Sequence, residues 1–425
     1  MTIRTTRHAT RSHRVSVGLW AVIASSALLL VACGSSSSSS TSTTSSGSKS
    51  SGGTYNIGGE ISLTGASGPV GVPQMAGLRA AIAGINKRGG VNGHQINLII
   101  RDDQSNPSTA VSDFTELTSA DNVSAVAGLI ASLVIPPLAP LAKAKNVALL
   151  TTAAPSSYLN PPYASVFSTS ANLDSQGIAG LGYFHQLVQK GTLPANPRIA
   201  ALYYSSPAGQ QWIQAVSAYA KKQYGWTFVA EQNSPVSAPS LSTQMTAIAA
   251  AHPDALLMFD TQADAVDAAK AGIAAGLSPK IYAADYAFAS TPSAIEAVAA
   301  AGLQNFAASA NFKNVGQGSS AVLKDFAADT KAAGVNPSQI QVPEGYAQGL
   351  IIQNTLAKCG YPCDSAAFEK QLQKTDTDLG GFAFGPVIYT PTDHEGVTAM
   401  QFVQAKPSGT GTQFTGNPVK LVFGQ

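Results

Sequence analysis

The sequence predicts an α/β protein of two doubly wound, Rossmann-like lobes. From Thr54 onward, strand-like apolar runs alternate with segments whose apolar residues recur at helical spacing. This order restarts after a crossing rich in Ser, Asn and Asp at Ser168–Ser175. The 425 residues exceed one ordinary domain, and 44% hydrophobic residues suffice for a core in each of two lobes. Alternating strands and helices are typical of a parallel sheet with helices on both faces.

The first half predicts four strands and three helices. The predicted strands are Tyr55–Leu63, Gln95–Arg101, Val123–Leu129 and Val147–Leu150. The predicted helices cover Met75–Ile85, a segment that begins at Asn106-Pro107, and Pro136–Ala144. In a doubly wound sheet the ligand binds at the carboxyl ends of the strands, so we expect the site there.

The second half repeats the order and ends in antiparallel strands. The predicted helices are Gln176–Gln189, Gln210–Tyr224, Ser240–Ala251, Ala263–Ala275, Ser319–Ala333, Glu344–Lys358 and Ser365–Gln373. The predicted strands are Arg198–Tyr204, Thr227–Glu231, Ala255–Phe259 and Lys280–Ala284, followed by antiparallel strands at Val397–Ala405 and Val419–Phe423.

The N-terminus has the pattern of a secretory signal. Met1–Arg14 is basic, Val15–Ala32 is mostly apolar, and small residues lie at the break. The segment Leu30-Val31-Ala32-Cys33 resembles the lipobox of bacterial lipoproteins, in which the signal is removed and the cysteine is lipidated. An uncleaved membrane anchor is the alternative, because about 18 apolar residues is the lower limit for a span.

A Ser/Gly-rich segment, residues 34–53, separates Cys33 from the body. It has no apolar side chain to bury, so we expect a flexible tether with a reach of about 25 Å. The other two cysteines, Cys359 and Cys363, lie in CGYPC. An oxidising exterior favours a disulfide between them over two free thiols, and no further cysteine completes a thiolate metal site.

The distribution of charge argues against nucleic-acid binding. The first 32 residues hold four arginines and no acidic residue, so the remaining 393 residues carry 21 basic and 23 acidic side chains. Nucleic-acid binding needs clustered Lys and Arg to displace counterions from phosphates. A sparsely charged, slightly acidic body does not supply them.

The usual signatures of catalysis are absent from the sequence. It contains no GxSxG elbow, HExxH zinc helix, GxxxxGK[ST] phosphate loop or GxGxxG after a strand. No two histidines pair at metal-ligand spacing, and Asp102-Asp103 is interpreted as a solvated strand end. We therefore expect a protein that is not an enzyme and holds neither a cofactor nor a metal.

Small, polar turns follow five of the predicted strands. They are Leu63–Gly71, Gly128–Ser132, Leu150–Ser157, Asp260–Asp264 and Ala283–Ala287. Small side chains let a ligand approach backbone N–H groups, and hydroxyl groups add donors without charge. Five such turns at equivalent topological positions predict a binding site.

Several segments carry a resemblance to a known family. They are GEISLTGASGPVG, AGLRAAIAGINKRGGVNGHQINLIIRDDQSNP, VAGLIAS, NLDSQG, RIAALYY, AKAGIAAGL and FGPVIY. From Thr54 to Tyr389 the chain is similar to the type I periplasmic binding proteins of ABC importers, above all the leucine/isoleucine/valine-binding branch. The resemblance implies two lobes, joined by three crossings, that close on a ligand between them.

The resemblance also implies a division of the chain. After a signal peptide at residues 1–32 and a lipidated cysteine with its tether at 33–53, lobe 1 comprises residues 54–172 and 306–389. Lobe 2 comprises residues 173–305 and 390–425.

Family positions map onto individual residues of this sequence. Ser132 matches the serine that holds the ligand carboxylate, and Ala153 matches a residue that contacts the same group through its backbone. Asp285 falls where the family has an acid that faces the ligand ammonium. Asp174 lies one place from the position of another expected acid.

The sequence departs from the family pattern around the ligand. Pro155 replaces a contacting threonine, for which Ser156 is the candidate substitute. Ala208 and Thr261 replace aromatic residues, and Val70 occupies a loop position that is often aromatic. These losses enlarge the expected pocket. The alternatives for the ligand are therefore a bulkier amino acid, an amide or another small acid.

The resemblance implies a lipid-anchored, extracytoplasmic substrate-binding protein of an ABC importer. Such a protein captures an amino acid or similar small polar solute and delivers it to the membrane permease. The alternative is a receptor lipoprotein that signals ligand occupancy to a membrane partner. In either case we expect a monomer that does not bind nucleic acid.

Overall fold

Residues 52–163, 165–235, 238–278, 280–285, 291–339 and 341–421 are described by a computed structural model. The predicted signal, Cys33 and all but the last two residues of the predicted tether lie outside these ranges. Among the described residues, no helix is both long enough and apolar enough to cross a membrane.

A five-stranded parallel sheet forms the centre of lobe 1. Its strands are β1 (Thr54–Ile61), β2 (Gln95–Asp102), β3 (Ala125–Leu129), β4 (Ala148–Thr151) and β5 (Val166–Ser168), in the order β2-β1-β3-β4-β5. The helices between them are α1 (Gly68–Lys87), α2 (Pro107–Ser119) and α3 (Ile135–Lys145). Asn106 caps α2 by accepting from the N–H groups of Ser108 and Thr109, and Pro107 occupies the first turn.

A seven-stranded sheet forms the centre of lobe 2. Its members are β6 (Ile199–Tyr204), β7 (Phe228–Ser234), β8 (Ala255–Phe259), β9 (Tyr282–Asp285), β10 (Asn305–Ala310), β14 (Ala399–Ala405) and β15 (Thr412–Lys420). The order is β15-β14-β10-β9-β8-β6-β7, with β14 and β15 antiparallel and the others parallel. The helices are α4 (Leu173–Gln189), α5 (Pro207–Tyr224), α6 (Ser242–Ala250), α7 (Gln262–Ala274) and α8 (Pro292–Ala300).

After β10 the chain returns to lobe 1. There it forms α9 (Ala321–Ala332), α10 (Val342–Cys359) and α11 (Ser365–Leu372), then a small antiparallel sheet of β11 (Asp376–Thr377), β12 (Val387–Thr390) and β13 (Asp393–Val397). A disulfide joins Cys359 at the end of α10 to Cys363, with the two Sγ atoms 2.06 Å apart.

The predicted fold class and the alternation of strands and helices are confirmed. The prediction missed β5, α8, β10 and the strands of the small sheet. The sequence of β10, NFAASA, is rich in small residues rather than the β-branched ones typical of strands. The predicted last strand, Val419–Phe423, overlaps only the end of β15, which covers Thr412–Lys420 and pairs with β14, and residues 422 and 423 lie outside the described ranges.

Three crossings connect the lobes: one after β5, one after β10 and one between β13 and β14. The predicted boundary at 305/306 cuts β10, whose pairing with β9 and β14 places the whole strand in lobe 2. The predicted boundary at 389/390 precedes β13, which pairs with β12 in lobe 1.

Helices α1 and α10 pack against each other through glycine. A Cβ atom on Gly345 would overlap the carbonyl oxygen of Gln74, and one on Gly77 would overlap that of Val342. Glycine therefore lets the two backbones approach at these points more closely than a side chain would allow.

We predict that Gly345→Ala lowers the free energy of unfolding by about 2–3 kcal/mol, because an added methyl group in a tight contact forces the backbones apart. Chemical denaturation measures the change. Lys358→Ala, at an exposed position of the same helix, is the control and should change stability by less than about 0.5 kcal/mol. Equal stability of Gly345→Ala and the parent protein would contradict the packing argument.

Candidate functional site

A pocket lies between the two lobes at the carboxyl ends of their parallel strands. Its empty volume is about 400 Å³. We call it the cleft pocket. Its lining residues are Ser132, Ala153, Ala154, Pro155 and Ser156 from lobe 1, and Asn172, Leu173, Asp174, Ala208 and Gln211 from the start of α4 and from α5.

Lobe 1 contributes the ends of β3 and β4. Ser132 begins a 3₁₀ turn, Ser132–Val134, that leads into α3, and its side chain is exposed. Ala153 follows β4, and its N–H group donates to Oγ1 of Thr151 at 3.0 Å. The backbone N–H predicted to contact a ligand is therefore engaged within its own loop in this structure.

Lobe 2 contributes the first turns of two helices. Asn172 caps α4 by accepting from the N–H of Ser175 at 2.9 Å, which places Asp174 in the first turn. Ser206 caps α5 by accepting from the N–H of Gly209 at 3.0 Å. Helix N-termini carry a partial positive charge, so both ends favour a negative or hydrogen-bond-accepting group in the pocket.

Three hydrogen bonds form what we call the cleft bridge. Ser156 Oγ donates to Asp174 Oδ2 at 3.1 Å, across the boundary between the lobes. Gln211 Nε2 donates to the same Oδ2 at 3.1 Å and to Ser156 Oγ at 3.2 Å. Sequence reasoning missed Gln211. The signal that could have found it is its place one turn after Ala208, at the start of a helix that faces the pocket.

The structure therefore brings four predicted site residues, Ser132, Ala153, Ser156 and Asp174, into one pocket. Thr261 and Val70 are not among the residues that line it. Val70 lies in the first turn of α1, whose residues Pro69 and Val72 line a wider opening of the cleft. Asp285 is the last residue of β9, and its side chain lies outside what the structure describes.

Thr261 has a structural role as the cap of α7. Its hydroxyl donates to Asp264 Oδ2 at 2.7 Å, and its backbone N–H donates to Tyr204 Oη at 2.8 Å. Tyr204 Oη in turn donates to Asp264 Oδ2 at 2.6 Å. This network fixes the turn after β8.

The pair Asp102-Asp103 shapes the turn between β1 and α1. The interpretation as a solvated strand end is wrong for Asp103, which is fully buried and accepts from Ser62 Oγ. Asp102 accepts from the backbone N–H groups of Leu63 and Thr64 and from the Thr64 hydroxyl. Both carboxylates thus hold the turn that borders the cleft.

The match to a known family covers most of the chain. A model of the periplasmic binding protein family matches residues 54–411. The chain belongs to this family. This confirms the prediction of a type I periplasmic binding protein that binds a solute and is not an enzyme. No curated protein sequence matches the chain.

Solved structures of similar fold include several proteins of ABC transporters. A branched-chain amino acid ABC transporter protein from Thermus thermophilus with bound valine has a TM-score of 0.73 at 16% identity, over 87% of this chain and 97% of that one. A fatty acid ABC transporter substrate-binding protein from Thermomonospora curvata has a TM-score of 0.68 at 19% identity, over 86% and 92%. A solute-binding protein from R. palustris in complex with benzoate has a TM-score of 0.67 at 17% identity, over 88% and 98%.

The cleft pocket of this periplasmic binding protein carries little charge. Asp174 is the only ionisable side chain among the described residues that line it. Half of the lining residues are alanine, proline or leucine, and the others offer hydroxyl, amide or carboxylate groups. Within the described residues, no group of three or more His, Cys, Asp or Glu side chains could hold a metal ion.

We predict that Tyr204→Phe destabilises this binding protein by about 1–3 kcal/mol, since it removes one hydrogen bond to Asp264 and leaves the Thr261 N–H without its acceptor. Tyr203→Phe is the matched control, because the Tyr203 hydroxyl makes no hydrogen bond to any described residue. Urea denaturation compares the two. A loss of equal size in both variants would show that the network does not fix the turn.

Proposed function

We propose that this protein is the extracytoplasmic, lipid-anchored substrate-binding protein of an ABC importer. In this proposal it captures a small polar solute between its lobes and delivers it to the membrane permease. The observation that carries the proposal is the cleft pocket, because both lobes supply its polar groups and the cleft bridge crosses from one lobe to the other. A site divided in this way is completed only when the lobes meet.

The chemistry of the pocket favours a ligand with both an acceptor and a donor. The hydroxyl groups of Ser132 and Ser156 and the first turns of α4 and α5 suit a carboxylate or carbonyl oxygen. Asp174 suits an ammonium or amide N–H group, and Asp285 is the proposed second acceptor. We therefore infer an amino acid or a related amide.

A ligand that is only an apolar acid fits this pocket less well. The structural neighbours include a protein in complex with benzoate and a substrate-binding protein of a fatty acid ABC transporter, so the same fold also serves other acids. In this chain, a plain carboxylic acid would leave the carboxylate of Asp174 facing a ligand without a donor. Two carboxylates that face each other repel, so such ligands should be disfavoured.

Binding needs no chemical step. The ligand exchanges water for fixed donors and acceptors as the lobes enclose it. Ser156, Asp174 and Gln211 bond to one another here, so a bound ligand either replaces the cleft bridge or is held beside it. In both cases, loss of Ser156 removes a donor at the junction of the lobes.

We predict that amino acids or their amides raise the melting temperature in a thermal-shift screen that also contains benzoate and fatty acids. A ligand at about 100 times its dissociation constant adds about 2.7 kcal/mol of stability. A shift given by the apolar acids alone would contradict the proposed ligand class.

For the compound that gives the largest shift, we predict that Ser156→Ala and Ser132→Ala each weaken binding about fivefold to tenfold, because each removes one hydrogen bond worth about 1 kcal/mol. Calorimetry measures the affinity. Ser157→Ala is the matched control, since Ser157 is exposed and is not among the lining residues. Unchanged affinity in both site variants would refute the assignment of the cleft pocket.

The lipid anchor has its own test. We predict that Cys33→Ser releases the protein from the cell envelope into the medium, because a serine cannot carry the thioether-linked lipid. Cell fractionation measures the distribution, with Cys359→Ser as a control that removes a cysteine but leaves Cys33. Retention of Cys33→Ser in the membrane fraction would favour an uncleaved anchor.

A further inference from the structure

The crossings between the lobes meet around two carboxyl groups, one half-buried and one buried. The first is that of Glu344, in the first turn of α10. It accepts from Ser170 Oγ on the first crossing and from Asn311 Nδ2, at 2.9 Å, on the second. The amide oxygen of Asn311 accepts from the N–H of Ala171 at 3.2 Å, so the two crossings are also joined directly.

The second carboxyl group is that of Glu395, on β13 and two residues before the end of that strand, where the third crossing begins. Only 3% of Glu395 is exposed. Its Oε2 accepts from Ser175 Oγ at 3.1 Å. Ser175 lies in the first turn of α4, where the first crossing enters lobe 2. Each carboxyl group therefore bonds to a segment that must move when the lobes move.

We propose that Glu344 and Glu395 are positioning residues of the hinge, and that they couple the relative movement of the lobes to the binding of protons. The inference rests on the closing motion of the proposed function, but not on the identity of the ligand. Lobe movement displaces the first and second crossings, and with them the hydrogen bonds to both carboxyl groups.

The surroundings of both groups favour the protonated acid. Burial raises the pKa of Glu344 to about 7, and the hydrogen bonds from the uncharged Ser170 and Asn311 oppose this only in part. Burial raises the pKa of Glu395 to about 8, and the negative charges of nearby Asp393 and Asp174 raise it further, while the hydrogen bond from Ser175 lowers it. The adjacent His394 supplies no positive charge near neutrality, because burial lowers its pKa to about 4.

A polar cavity gives water a route to Glu344. Its empty volume is about 580 Å³, and it lies between the lobes beside the second crossing. Its lining includes Ser309, Asn311, Asn314, Gln341, Glu344 and Thr412. Widening this cavity would hydrate the carboxyl group and stabilise its ionised form.

The sign of the pH effect follows from proton linkage. In the described conformation Glu344 keeps its proton up to about pH 7 and Glu395 keeps its proton up to about pH 8. In a conformation that hydrates them, the pKa falls toward about 4.3 and the protons are released. Raising the pH through this range therefore favours the hydrated, more open conformation, and lowering it favours the described one.

Spin labels across the cleft test the proposal without any ligand. Leu133→Cys and Gln210→Cys place the labels on exposed positions of the two lobes, in the full chain with Cys33→Ser so that no third free thiol reacts. Pulsed electron spin resonance gives the distribution of distances. Between about pH 6 and about pH 9, full hydration of both groups in the open form should raise the ratio of long to short distances by up to about a thousandfold, about tenfold from Glu344 and about a hundredfold from Glu395.

Glutamine variants identify the groups that titrate. Glu344→Gln and Glu395→Gln keep the size and the hydrogen-bond acceptor but cannot ionise, so each should reduce the pH response and the double variant should abolish it. Glu369→Gln is the matched control. Its buried carboxyl group accepts from Ser165 Oγ at 2.7 Å within lobe 1, so the variant should keep the full response.

Two results would overturn the proposal: a distance distribution that does not change with pH in the parent protein, or an unchanged response in the double variant. Circular dichroism at about pH 6 checks that each variant folds. If the double variant does not fold, an unchanged pH response in a single variant shows that the residue replaced in it is not one of the titrating groups. A failed ligand screen leaves this result intact, because cleft width is measured in ligand-free protein.

Discussion

The close contact between α1 and α10 is the constraint on which both the cleft and the hinge depend. Glycines on both helices let their backbones touch near the start of α10, where a side chain would overlap a carbonyl oxygen. The N-terminus of α1 follows the turn that borders the cleft, while the first turn of α10 carries Glu344. Because interiors transmit strain through close packing, a shift of one helix moves the other. The turn between β1 and α1 and the carboxyl group of Glu344 are therefore expected to move together.

The polar groups of the cleft bond to one another in this structure, and that sets what a ligand must offer. Ala153 donates within its loop, and Ser156 and Gln211 both donate to Asp174. A ligand that disrupts these bonds must replace them, since a buried polar group left unpaired costs more than a made hydrogen bond gains. Selectivity then comes from the penalty on ligands that lack a donor or an acceptor rather than from shape alone. The small residues Ala153, Pro155 and Ala208 leave the apolar part of the ligand loosely specified.

The sequence predicted the location of the site better than its connections. The small, polar turns after the parallel strands predicted that the site lies at one edge of each sheet. Four of the predicted residues line a single pocket there. Gln211 was not predictable in this way, because its importance comes from Ser156 and Asp174, which reach it only in the folded chain. The same holds for Glu344 and Glu395, whose serine partners are far away in sequence. Helical periodicity and strand length carry no information on such pairs. The short β5 and the alanine-rich β10 were not predicted for a related reason, because neighbouring strands rather than their own residues stabilise them.

A carboxylic acid at each of these hinge positions calls for a physical reason, because an amide of nearly equal size could accept the same serine hydrogen bond. The amide would hold the crossings equally well over the whole pH range. The acid holds them without a net charge only while it keeps its proton. The ionised group would still accept the same hydrogen bonds, but it would place a charge there with no cationic partner among the described residues. Near neutrality the two hinge groups are close to that transition. A binding protein outside the cytoplasm meets the pH of its surroundings directly, so a hinge of this composition makes the balance between its conformations a function of external acidity, separate from the occupancy of the cleft.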